Sequence, residues 1–155
     1  MAEVPHPEPV LVSACLLGLA CRYDACSAKD EARAGLAAAL GELGEVEVVG
    51  FCPEQAGGLA TPRPPAWIEA DSAAAVLRGD DRVVTEAGVD VTAAFVDGAE
   101  SALAVARQRG IRRAILKERS PSCGLASTHV DGALVDGPGV TARVLIDAGL
   151  DVRGV

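Results

Sequence analysis

The sequence predicts a three-layer α/β fold around a mostly parallel sheet. Three observations predict it: strand-like apolar runs alternate with helix-period segments, glycines close the helical segments, and small aliphatic residues do the packing. Half of the 155 residues are hydrophobic, yet the chain has one Trp, one Tyr and two Phe. Ala, Val, Leu and Gly must therefore fill the core, which favours tight layers over an aromatic-rich sandwich. The length suits one domain with a full core.

Residues 1–9, rich in Pro, read as a flexible lead-in, and residues 10–155 as a single domain. Val10–Ala14 is a short, nearly continuous apolar run, as expected of a parallel strand buried on both faces. Residues 28–43 carry helical spacing, with Asp30 and Glu31 in the expected first turn and Gly44 as the stop. Val46–Phe51 reads as the second strand, completing a right-handed β-α-β unit. Residues 53–91 are rich in Pro and Gly and hold short strand-like pieces near 67–69, 75–77 and 82–84, a small antiparallel insertion. Thr92 is the expected N-cap of a helix over 93–109, ended by Gly110. Residues 113–117 form the next strand, 120–127 a Ser/Gly-rich turn, and 132–135 a further short strand. A helix over 140–148 and a strand over 150–153 complete a Rossmann- or flavodoxin-like pattern.

The formal net charge of −8 opposes binding to phosphate backbones or anionic membranes. Arg107, Arg109, Arg112 and Arg113 are the only local basic group, and at a helix end they read as dipole-complementing surface charge. No large nucleic-acid partner and no membrane association are expected. The N-terminus has no signal-peptide pattern, so the expected location is cytoplasmic. Five cysteines in that compartment point to metal or thiol chemistry rather than disulfides.

Cys15, Cys52 and Cys123 each follow an expected strand, where an open parallel sheet gathers its ligands. Each lies in a loop dense in Gly, Pro or Ser, whose backbone N–H groups suit an anionic cluster. There is no CxxC pair of the kind structural zinc favours. Three thiolates on a 4Fe-4S cluster would leave one iron free as a Lewis acid. Spacing alone also admits unrelated, partly buried thiols. Cys26 reads as a packing or surface thiol, and Cys21 as one near the cleft without being a ligand.

The motifs Ser-Ala-Cys-Leu-Leu-Gly (13–18), Cys-Arg-Tyr-Asp (21–24), Cys-Pro-Glu (52–54), Gly-Gly-Leu-Ala-Thr-Pro-Arg-Pro-Pro (57–65), Asp-Val-Thr (90–92) and Leu-Lys-Glu-Arg-Ser-Pro-Ser-Cys-Gly (116–124) together resemble the thiouracil desulfurase family. The resemblance runs from about residue 10 to the C-terminus. It implies a 4Fe-4S cofactor on Cys15, Cys52 and Cys123, and non-redox removal of sulfur, as hydrogen sulfide, from 2- or 4-thiouracil or 4-thiouridine nucleotides. One departure stands out: Ala25-Cys26 occupies the place of a Gly-Gly pair that usually follows Arg-Tyr-Asp.

Glu54, two residues from a ligand, is the expected proton carrier, with Ser120, Ser122 and Asp24 as further catalytic candidates. Ser13, Arg22, Arg63 and Lys117 are the candidates for binding the substrate's polar or anionic edge. His6 and His129 read as surface histidines. The competing functions are a non-catalytic iron–sulfur sensor and a cluster-free thiol redox enzyme.

Overall fold

A computed structural model describes residues 6–155. Of the expected lead-in, residues 1–5 lie outside the described residues, whereas Glu8 and Pro9 already belong to the first strand. Strand β1 (Glu8–Ser13) pairs in parallel with β2 (Val46–Phe51) on one side and β5 (Arg113–Leu116) on the other; β8 (Asp151–Gly154) lies outside β5. The order β2-β1-β5-β8 is all parallel, so the chain reverses its direction of winding between β1 and β5.

The central strand explains its own composition. Val10 and Val12 point into one cluster with Ala39, Leu36 and Leu40 of helix α1 (Arg33–Leu43). Leu11 points the other way, onto Ala102 and Ala106 of α4 (Thr92–Arg109) and Ala142 and Leu145 of α5 (Val140–Asp147). Both faces of β1 are therefore covered, and alternation is lost from its sequence.

A second, mixed sheet stands beside the first, in the order β4-β3-β6-β7. Strands β3 (Ala66–Ile68) and β4 (Val83–Thr85) are the antiparallel insertion, and β6 (Ser127–Val130) with β7 (Ala133–Asp136) is a hairpin that joins it. The α/β class holds, but the segment expected to be one turn over 120–127 and one short strand contributes two strands to this second sheet. Helix α4 serves both sheets: Phe95 and Ala99 pack with Ile68, Val83 and Val130, while Ala102 and Ala106 pack under β5.

Three other expectations change. Residues 28–32 are turns, because the Ala28 N–H is taken by Cys15 O at 2.9 Å and ties this stretch to the first loop before α1 begins. The strand-like piece near 75–77 is helix α3 (Ala73–Arg78): Ser72 Oγ accepts from Ala75 N at 3.1 Å, and Gly79 closes the helix in the left-handed region. Thr92 is not a cap; its Oγ1 accepts from Val83 N at 2.9 Å, linking β4 to the first turn of α4.

Candidate active site

The three loops that follow β1, β2 and β5 converge over one cavity of ≈ 510 Å³. After β1 the chain makes a short 3-10 turn (Ala14–Leu17), closed by Gly18 at φ 100°, which turns Cys15 inward. After β2 it enters the short helix α2 (Pro53–Ala56) with Cys52 as its N-cap residue, Pro53 at the first helical position and Glu54 in the first turn. Helix α2 lies directly on α4. A Cβ at Gly57 would stand 1.9 Å from Ala94 O, and one at Gly98 would stand 2.0 Å from Pro53 O. Only glycine at both places permits this approach.

The Cys123 turn is held from two sides. Ser120 Oγ accepts from Ser122 N at 3.1 Å and Cys123 N at 3.2 Å. The Glu118 carboxylate accepts from Leu125 N at 2.7 Å and Ala126 N at 3.0 Å. Gly154 makes room for that carboxylate, since a Cβ there would meet Glu118 Oε2 at 2.0 Å.

Cys15, Cys52 and Cys123 all line the cavity, and so does Cys21. Cys15, Cys21 and Cys123 are buried and Cys52 is partly so. The neighbouring Cys15 pushes the Cys21 thiol up to about 11, against an opposing influence of Cys52. The Cys52 thiol is raised by its bond to Cys21 and by burial. Burial pushes Cys123 up to about 12, against an opposing hydrogen bond from Ser13. These raised thiols favour the protonated form, and a metal centre would displace the protons and take the thiolates. An all-sulfur donor set from separate loops, around a cavity of this size, fits an iron–sulfur cluster. Cys26 is exposed and stands apart.

The other expected site residues divide sharply. Glu54 lines the cavity, and its Oε2 pairs with Arg63 Nη2 at 2.7 Å. Arg63 lines it too, and its guanidinium donates to four acceptors of the chain itself: Glu54 Oε2, Cys21 O, Ala60 O and Thr61 Oγ1. Ser13 is buried, and its Oγ accepts from Lys117 N at 3.0 Å. Arg22 pairs with Glu31 at 2.8 Å, and Lys117 Nζ donates to Glu118 O at 3.2 Å; both line the cavity. Ser120 lines it as well. Ser122 and Asp24 are not among the lining residues. Among the described residues the Ser122 hydroxyl is buried without a partner, and Asp24 is exposed, its Oδ1 accepting from Cys26 N at 3.0 Å.

Sequence reasoning missed the cavity's outer wall. All four aromatic residues of the chain, Tyr23, Phe51, Trp67 and Phe95, line the same cavity. His129, expected as a plain surface residue, stands at its rim with Nδ1 2.7 Å from Arg119 O. Two of the aromatics also serve the core: Phe95 packs with Ile68, Val83 and Val130, and Phe51 packs against the cluster around Leu11.

The 2-thiouracil desulfurase family matches residues 10–154. The uncharacterized protein YbbK of Bacillus subtilis (strain 168) is 40% identical over 146 residues, covering 92% of this chain and 93% of that protein. Among solved structures, a [4Fe-4S]-dependent thiouracil desulfidase, TudS, superimposes with a TM-score of 0.75 at 43% identity, covering 95% of this chain and 90% of that one.

Proposed function

This chain belongs to the 2-thiouracil desulfurase family, and on that premise we propose that it removes sulfur hydrolytically from thiolated pyrimidines, with a 4Fe-4S cluster as cofactor. The observation that carries the reading is the convergence of Cys15, Cys52, Cys123 and Glu54 on one cavity walled by every aromatic side chain of the protein. A 4Fe-4S cluster held by Cys15, Cys52 and Cys123 would supply, at the iron no cysteine takes, a Lewis acid for the soft thione sulfur.

The protein's own residues do the rest. The aromatic wall accepts a flat heterocycle in stacking or edge contact. Arg22 and Lys117, with Ser13 beneath, present donors to the ring's polar edge or to a phosphate carried on it. Glu54 takes a proton from the attacking water as its oxygen bonds to the thiocarbonyl carbon. The same carboxyl passes that proton to the sulfur, then takes the remaining hydroxyl proton as the carbon–sulfur bond breaks and returns it to the departing sulfur. The carbonyl product and hydrogen sulfide account for all atoms of thione and water, with no electron donor required. Of the four proton-carrier candidates, Glu54 is favoured because it alone is an ionisable group on the cavity wall; Ser120 Oγ is spent on the N–H groups that hold Cys123.

Anaerobically purified protein should be brown, carry about four irons per chain, and release sulfide catalytically from 2-thiouracil, 4-thiouracil or 4-thiouridine monophosphate. An iron-loaded protein that binds but does not desulfurise any of the three is a sensor. A protein that stays colourless after reconstitution with iron and sulfide refutes the cluster.

A further inference from the structure

The Arg63 side chain is 7% exposed, at the centre of a knot of three chain segments. Both N–H groups of Nη1 are directed at its own loop, to Ala60 O at 3.2 Å and Thr61 Oγ1 at 3.0 Å. Those of Nη2 reach outward, to Cys21 O at 2.9 Å and Glu54 Oε2 at 2.7 Å. Its backbone N–H donates to Tyr23 O at 2.7 Å. A guanidinium has five N–H donors, so only Nε–H is left for anything else. Such a group has no free fork to offer a substrate phosphate.

The geometry therefore assigns Arg63 as a positioning residue that fixes the Glu54 carboxylate by one oxygen and pins the Cys21–Tyr23 segment against the Cys52–Glu54 turn. Oε2 is held, and Oε1, for which the described residues provide no hydrogen-bond partner, is the atom left to face the reacting water. The same side chain sets the spacing between the loop after β1 and the loop after β2, which carry Cys15 and Cys52. This inference rests on the proton-transfer role of Glu54, and arginine acts through that residue rather than on the substrate.

The test compares Arg63→Gln, Arg63→Lys, Glu54→Gln and the Glu54→Gln/Arg63→Gln pair in anaerobically reconstituted protein, with rates normalised to iron content. Arg63→Gln should lower kcat for 2-thiouracil by about 10- to 100-fold at unchanged KM, the penalty for a misplaced catalytic group. The double variant should be no slower than Glu54→Gln alone, because residues acting as one unit are not additive. A raised KM at unchanged kcat, or penalties that add in the pair, would overturn the assignment. Where Arg63→Gln does not fold, Arg63→Lys, which keeps the charge but cannot reach four acceptors, carries the same comparison. A second measurement needs no activity: in cluster-free protein, hydrogen exchange over residues 21–25 and 54–59 should be faster in Arg63→Gln than in the parent. Unchanged protection there refutes the clamp. Absence of sulfide release from the parent would instead count against the desulfurase reading and leave the exchange result standing.

Discussion

Gly98 and Pro53 meet so closely that a single methyl group at position 98 would lie 2.0 Å from the proline's carbonyl oxygen. Gly57 repeats the arrangement from the other side against Ala94 O. The turn that carries Cys52 and Glu54 is thereby fixed to the longest helix of the fold.

Gly98→Ala should consequently disturb the site as well as the core. Overpacking of this kind costs about 1–3 kcal/mol, and a lower melting temperature in calorimetry should accompany a drop in iron bound per chain. A variant that loses stability but keeps full iron occupancy would show that Cys52 does not depend on this contact.

Ligand identity is tested by serine replacement. Cys15→Ser, Cys52→Ser and Cys123→Ser should each abolish the visible absorbance and most of the iron. Cys21→Ser and Cys26→Ser should keep both, Cys26 because it is exposed and apart from the others. Cys21 is the demanding case, since it is buried on the same cavity wall as Cys15 and Cys52, and its carbonyl accepts from Cys52 Sγ at 3.9 Å. Loss of iron in Cys21→Ser with retention in Cys15→Ser would exchange their roles.

Glu54→Gln keeps the size of the side chain and removes the proton acceptor. Turnover should fall by about 100- to 10,000-fold, the usual contribution of a general acid–base, while iron content and absorbance stay at the parent level. Full turnover in this variant would move the proton transfers elsewhere.

Glu118 predicts a loss of structure rather than of chemistry. Its carboxylate satisfies the N–H groups of Leu125 and Ala126 behind the Cys123 turn. Glu118→Ala leaves these donors unpaired, at about 1–3 kcal/mol where they are buried. Iron should be retained less well on dilution, with KM for any iron-loaded fraction unchanged.

The parallel half of the fold was legible because β1 is buried on both faces over Val10–Val12 and writes that fact as three successive apolar residues. The second sheet was legible only in part: the pieces near 67–69, 82–84 and 132–135 are β3, β4 and β7, whereas β6 and the joining of all four into a separate sheet were not. Its strands are three or four residues long, too short for alternation to stand out, and β6 begins inside a turn-forming stretch. Helix α3 hid for a related reason: Ala75, Val76 and Leu77 look strand-like until Ser72 is recognised as their cap. At the site, Cys15, Cys52 and Cys123 could be placed from strand ends alone, since topology brings those ends together. Arg63 could not be. Its residue type suits an anion, and only the distances to Glu54, Cys21 O, Ala60 O and Thr61 Oγ1 show how its donors are used.

The concentration of aromatic side chains in one cavity has a practical corollary. Trp67 is the sole tryptophan of the chain and stands in that wall. Its emission is therefore a built-in optical gauge of the site, needing no label and no assignment. Loading the metal centre, seating a ring against the wall and emptying the cavity again can each be followed through one native fluorophore in real time.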